Sequence, residues 1–259
     1  MTERTLALLL TGPLQSWGCR SSFNYRDTQD HPTLSGILGL LASASGITRD
    51  EPLPEEWSGL SMLIRVDRAG TPLTDYHLIG GGYPAAERMI TAEKSRRSHA
   101  VITERDYLSD AAFTVYLQGS AEVTEELARA LKAPHWSPYL GRRACPPSLP
   151  VLLGTVGEKK EEIAARLPLY RAGRKKAAGG KPAVLRVDAY RDARSSAREE
   201  DDIPVDRWAR DVPTGSDPEN RSFSERPVNE FPLEFTTDDC AGIGIAAYTT
   251  IVTALKEAA

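Results

Sequence analysis

The run from Thr5 to Leu10 constrains this chain more than any other stretch. It is apolar almost without interruption, the pattern of a strand buried on both faces. Gly12-Pro13 then breaks it. After a long, mostly polar interval, Thr33 or Ser35 offers an N-cap, Ile37, Leu38, Leu40, Leu41 and Ile47 recur at helical spacing, and Gly46 is placed to end the helix. The chain therefore opens strand, long loop, helix. Two readings fit the helix start: its free N–H groups and Gly36 suit an anion such as phosphate, or Gly36 and Gly39 are small so that the helix can sit close to a sheet. The glycines do not form a dinucleotide-binding fingerprint.

Leu60 to Val66 alternates like a strand, Gly70 marks a turn, and Leu73 to Ile79 reads as the next strand. Gly80-Gly81-Gly82-Tyr83-Pro84 interrupts regular structure, and Ala85 to Ser98 is polar with mixed charge. Ala100 to Ile102 and Ala112 to Leu117 are strand-like again. The simplest account is a long hairpin, a thumb over residues 78–104, that leaves the sheet near His77 and returns near Thr103. Thr124 to Lys132 reads as a helix capped by Thr124, with Glu125 and Glu126 in its first turn and Pro134 beyond its end. Val151 to Val156 supplies a further strand. This order predicts an α+β chain with a ferredoxin-like (RRM-like) βαββαβ domain, a protruding thumb hairpin and a C-terminal extension. The aromatic pattern by which many such sheets stack bases is missing, so RNA would run along loops.

The net charge is −4, which argues mildly against nucleic acid, but the charge is unevenly spread. Arg166 to Arg198 holds ten Lys or Arg against Asp188 and Asp192, and Leu127 to Gly157 holds Arg129, Lys132, Arg142 and Arg143 with no acid. Basic stretches on an acidic chain suit a channel for phosphates, although Arg174 to Lys181, with Ala177-Ala178-Gly179-Gly180 inside it, equally fits a solvated loop. Tyr139 can stack on an unpaired base, and the pair Arg142-Arg143 can clamp a phosphate.

Several motifs in order carry a resemblance. Gly12-Pro13-Leu14-Gln15-Ser16-Trp17-Gly18, then Pro32-Thr33-x-Ser35-Gly36-x-Leu38-Gly39, Arg49-Asp50, Asp75-Tyr76-His77, Arg105-x-Tyr107-Leu108-x-Asp110-Ala111-x-Phe113-Thr114-Val115 and Pro138-Tyr139-Leu140-Gly141-Arg142-Arg143-x-Cys145-Pro146 together resemble the CasD family of type I-E CRISPR systems, in the RAMP superfamily. The likeness covers roughly residues 4–235. It implies a Cascade subunit that binds the 5′ handle of crRNA and whose thumb contacts the backbone subunit CasC, with the large subunit CasA as a further partner and target DNA met only through the complex. It implies Arg105 and Tyr139 at the handle, with Gln15 and Trp17 in a flanking loop, where Trp17 equally fits as a plug in the core. The expected RNA-binding set is Gln15, Trp17, Gly18, Arg26, Ser35, Gly36, Arg105, Tyr139, Arg142 and Arg143.

The domain expectation is 1–157 for the RNA-binding unit, 158–235 for a basic arm and closing strands, and 236–259 for an extension outside the family pattern. Pro168 to Gly180 reads as an arm, Ala183 to Tyr190 as a strand, and Asp211-x-Pro213 with Phe223-x-x-Arg226-x-Val228 as the family's closing segment. Glu199-Glu200-Asp201-Asp202 is read as a solvated run rather than a metal site. Cys19, Cys145 and Cys240 lack disulfide or metal spacing, and no apolar run is long enough for a membrane span. The expectation is a cytoplasmic protein with no cofactor, no metal and no membrane contact. No G-x-S-x-G or H-E-x-x-H occurs. The enzymatic alternative is a metal-independent endoribonuclease acting on pre-crRNA, with His31 or Tyr25 as base. By the resemblance, type I-E systems give that step to another subunit, CasE, so the expectation is not an enzyme.

Overall fold

The computed structural model describes residues 2–19, 24–80, 83–90, 94–96, 99–172, 182–192, 205–214 and 222–258. The arm segment 174–181, the acidic run 199–202 and residues 20–23 of the first loop lie outside the described residues.

The strands are β1 (Glu3–Thr11), β2 (Leu14–Gln15), β3 (Tyr25–Arg26), β4 (Ser61–Arg68), β5 (Thr71–Ile79), β6 (Val101–Ser109), β7 (Ala112–Ser120), β8 (Leu152–Val156), β9 (Val184–Asp192), β10 (Arg207–Pro213) and β11 (Phe223–Thr236). The α-helices are α1 (Leu34–Ser45), α2 (Ala121–Lys132), α3 (Lys160–Arg166) and α4 (Gly244–Glu257). Among the described residues, seven strands form one sheet in the order β10-β11-β9-β4-β7-β1-β8, with every neighbouring pair antiparallel. Strand β1 lies inside this sheet and is fully covered from Thr5 to Leu10, which is why its residues do not alternate in polarity.

One face of the sheet carries Leu6, Leu8 and Leu10 of β1 against Leu38, Leu41, Val123 and Leu127 from α1 and α2. The other carries Ala7 and Leu9 against Ile163 of α3 and Ala247, Ile251 and Leu255 of α4. The extension beyond residue 236 is thus a docked helix, and the Tyr248 hydroxyl of α4 donates to the Leu152 carbonyl at 2.6 Å. Its buried residues recur every four positions, so one stripe faces the sheet.

Helix α1 is capped by Thr33, whose side chain accepts from the Gly36 amide, and it ends at Gly46 with φ 79°. Helix α2 starts one turn earlier than the expected Thr124 cap. Ser120 accepts from the Val123 amide, while the Thr124 hydroxyl is buried and donates back to the Ser120 and Ala121 carbonyls, as a mid-helix threonine does. Helix α3, which no sequence pattern announced, buries only Lys160, Ile163 and Ala164. The segment after it is less open than an arm would be: Leu169 and Tyr170 are buried, and Leu169 bridges to Cys240.

The hairpin departs from the main sheet sooner than near His77. Strands β5 and β6 pair from Thr71↔Ser109 to Ile79↔Val101 in a separate sheet that also includes β2 and β3. Gly70, with φ 78° and a Cβ direction 2.7 Å from the Ser109 carbonyl oxygen, makes the turn that starts it, a conformation open to glycine.

Candidate nucleic-acid interface

Strand β6 gathers the candidate residues. It pairs with β2 through Leu14↔Ser109 and Gln15↔Leu108, with β3 through the parallel pairs Tyr25↔Glu104 and Arg26↔Arg105, and with β5 along its whole length. The parallel pairing sets Arg26 directly opposite Arg105, so both side chains leave the same face of the small sheet. Like charges in that position repel, and an anion placed between them removes the repulsion. Arg26 is exposed and Arg105 half-buried. The Arg105 Nε lies 3.4 Å from the Thr103 hydroxyl. Asp75 flanks Arg105 from β5, and its carboxylate is 3.4 Å from His77 Nδ1.

The segment 138–145 is fastened to this face by its backbone. Ser16 N donates to the Leu140 carbonyl at 3.1 Å, Leu140 N to the Cys145 carbonyl at 2.7 Å, and Cys145 N to the Arg142 carbonyl at 2.8 Å. Leu140 is fully buried. Gly141 has φ +85°, and a Cβ there would lie 1.7 Å from the Ser16 carbonyl oxygen. Arg142 lays its guanidinium over the Tyr107 ring at 4.8 Å and donates to the carbonyls of Asp106 at 3.2 Å, Arg26 at 2.8 Å and Asp27 at 3.2 Å. The expected Arg142-Arg143 phosphate clamp therefore divides: Arg142 is a clasp that holds β3 and the segment together, and Arg143 is exposed. Tyr139 is half-buried beside Leu140.

Other residues expected at the RNA are structural. Gln15 is fully buried, its amide donating to the Leu10 carbonyl at 3.1 Å and the Ala111 carbonyl at 2.9 Å. Trp17 is 1% exposed, and its indole N–H donates to Gln15 Oε1 at 3.1 Å. Both side chains belong to the core and shape the loop from within; Gly18 beyond them is exposed. A Cβ at Gly36 would meet the Trp17 ring at 2.9 Å, so this glycine makes room for the indole on the first turn of α1.

The Ser35-Gly36 helix start does hold an anion, but the anion comes from the chain itself. Asp211 Oδ2 accepts from Leu34 N at 2.7 Å, and Arg226 grips the same carboxylate at 2.7 and 3.0 Å. Arg226 also pairs with Asp192. The closing strands thereby neutralise the positive end of α1 beside Ser35 and Gly36. Sequence reasoning had Asp211 and Arg226 only as a motif, because the cap lies 177 residues away along the chain. Tyr107 was missed as the platform for Arg142; its spacing of two from Arg105 along a strand was the available signal.

The residues named for catalysis are differently engaged. His31 is buried, stacked on Tyr190 at 4.0 Å between ring centroids, with Nδ1 2.5 Å from Asp30 Oδ1. Tyr25 donates to Asp106 Oδ2 at 2.5 Å. That hydrogen bond first, and then the charge of Asp106, holds its phenol above the ordinary tyrosine value, the wrong direction for a base near neutrality. Among the described residues no group of His, Cys, Asp and Glu could hold a metal ion, and no helix is long and apolar enough to cross a membrane.

Known proteins resemble this chain in sequence and in fold. The family model described as CRISPR-associated protein (Cas_Cas5) matches residues 5–229. The chain is 38% identical over 164 residues to the CRISPR system Cascade subunit CasD of Escherichia coli (strain K12), an alignment spanning 58% of this chain and 70% of that protein. It is similar to a solved chain of a CRISPR RNA-guided surveillance complex, with TM-score 0.79, 33% identity and coverage of 97% of this chain and 99% of that one. It is also similar to a crystal structure of a Cas protein, with TM-score 0.64, 33% identity and coverage of 93% and 98%.

Proposed function

The chain belongs to the Cas5 family of CRISPR-associated proteins and is a homologue of the Cascade subunit CasD; from that premise we propose that it binds and caps the single-stranded 5′ handle of crRNA without cutting it. The observation that carries the reading is Arg26 set opposite Arg105, with the Arg142 clasp behind them and Arg143 and Tyr139 at the rim. Arginines give phosphate affinity and salt dependence, while an accessible ring gives a stacking surface for a splayed base. The β5–β6 hairpin contacts the first backbone subunit, CasC, and the large subunit CasA is a further partner. We read β1, α1, β4, β7, α2 and β8 as a ferredoxin-like unit; the sheet order β4-β7-β1-β8 with antiparallel neighbours supports that reading. The engagement of Tyr25 and His31 described above supports a non-catalytic role.

The test is the double variant Arg26→Ala with Arg105→Ala, purified with its partner subunits and a handle-bearing guide. If each arginine supplies a charge-assisted hydrogen bond worth roughly 1.5 kcal/mol, guide retention should fall on the order of a hundredfold, and the salt dependence should flatten. Thermal stability should stay close to the parent's, because neither side chain is buried. Unchanged guide content would overturn the assignment, and metal-independent cleavage of a repeat RNA by the parent chain would overturn the non-catalytic part.

A further inference from the structure

Trp136 is a large ring that the fold holds in place without burying. Its backbone is pinned to the last turn of α1: His135 N donates to the Ala44 carbonyl at 2.9 Å and Trp136 N to the Ser43 carbonyl at 3.3 Å. The His135 ring packs beside Gly46, where a Cβ would lie 3.1 Å from its Cγ. It meets the Trp136 indole at right angles, 4.5 Å between centroids. Trp136 nevertheless stays 42% exposed, so much of the ring's apolar area contributes nothing to the core. Arg129, Lys132 and Arg143 lie within seven residues of it, and no carboxylate lies within nine. All three of these cations are exposed.

We propose that Trp136 is a second stacking platform for an unpaired base, with Lys132 and Arg129 in the last turn of α2 taking the adjoining phosphates. The RNA path then continues past Tyr139, back along α1, to the C-terminal ends of α1 and α2. The inference rests on the cap reading for where that path begins. Gly141 closes against Ser16, and the neighbouring Trp17 ring lies against Gly36 in the first turn of α1, whereas Trp136 is tied to Ser43. From Gly36 to Ser43 is about 10 Å along the helix axis, well beyond the roughly 3.4 Å between stacked nucleotides, so Trp136 and the Arg142 clasp serve different nucleotides. Charge favours RNA over a protein occupant. The end of α1 adds exposed Arg49 beside Asp50 and Glu51, and the Glu51 carboxylate is engaged by Thr48 N at 2.7 Å and the Thr48 hydroxyl at 2.9 Å. On α2, Glu125 and Glu126 lie a turn further back, with Glu125 facing Arg4 at 3.9 Å. An open indole flanked by cations is the arrangement that holds single strands, since every base presents a face to stack and every phosphate a charge.

Indole emission reads this contact directly. Of the four tryptophans, Trp17 and Trp57 are buried and Trp136 and Trp208 exposed, so a Trp208→Phe chain leaves Trp136 as the exposed one. Handle-bearing repeat RNA should quench its emission. A shorter RNA that keeps only the part bound through Arg26 and Arg105 should bind without the quench. Trp136→Ala should weaken the longer RNA about tenfold, as loss of one stacked base does, and Trp136→Phe should recover most of that loss. The shorter RNA should bind the parent and Trp136→Ala alike, and the melting midpoint should match the parent's. Lys132→Ala should reduce the slope of log affinity against log salt by about 1. No quench, or parental affinity in Trp136→Ala, overturns the proposal, as does an equal loss on both RNAs. Normal RNA binding by Trp136→Ala with poor entry into the guide-bearing assembly would make the ring a protein contact and overturns it too. If Arg26→Ala with Arg105→Ala binds both RNAs as the parent does, the cap reading fails, and the quench still decides Trp136.

Discussion

Gly141→Ala should destabilise the chain by about 3–5 kcal/mol, combining strained backbone with overpacking, and should remove guide retention with it. The added Cβ would stand 1.7 Å from the Ser16 carbonyl oxygen at a residue with φ +85°. Relief requires moving Ser16 or residue 141, and either breaks the Ser16 N to Leu140 carbonyl bond. Ser16 cannot move alone, because Gln15 and Trp17 on either side are locked in the core. The rim carrying Tyr139, Arg142 and Arg143 is displaced in consequence. A urea midpoint and the guide content of the purified assembly measure the two effects. Gly39→Ala is the contrast: a Cβ there meets nothing within 4 Å, so replacement within a helix should be neutral or stabilising by up to about 1 kcal/mol.

Asp67→Ala should cost at least about 3–5 kcal/mol, because it leaves a buried arginine without its counter-charge. Arg65 and Asp67 are both fully buried on the side of the sheet that faces α3. Asp67 accepts from Arg65 at 2.7 and 3.2 Å, from the Thr114 hydroxyl at 3.0 Å and from Tyr170 N at 2.7 Å. Burial works against the Arg65 charge, and the neighbouring Asp67 and Tyr116 together more than offset it. The double variant Arg65→Met with Asp67→Leu should recover only part of the loss. Arg65 also donates to the carbonyls of Ala164, Leu167 and Pro168, and unpaired buried carbonyls carry a desolvation cost of about 1–3 kcal/mol each. Denaturant midpoints of the two variants measure the difference, with guide retention following stability rather than falling independently.

Elements with a strong period were legible in the sequence, and those held by distant partners were not. The span of β1 and the caps of α1 follow from an apolar run, Thr33 and Gly46, all local signals. Strands β2 and β3 have two residues each, too few to show alternation, yet β3 is the element that sets Arg26 against Arg105. Helix α3 has no apolar stripe to detect. Electrostatics at the start of α1 pointed to an anion, and one is there; its source, Asp211, is fixed by tertiary folding and not by local pattern. Trp17 and Gln15 were drawn to the RNA by their place in a loop, whereas the structure turns both inward beneath Gly36 and Ala111. Arg105, Tyr139 and Arg143 remain open enough for the proposed role.

Photocrosslinking tests the central claim most directly. Guide RNA carrying 4-thiouridine in the 5′ handle would be assembled with this chain and its partners, irradiated, and the adducts mapped by mass spectrometry. The cap reading predicts adducts on peptides containing Arg26, Arg105 to Tyr107, and Tyr139 to Arg143. Handle adducts that avoid all three, or fall on other subunits alone, would contradict it.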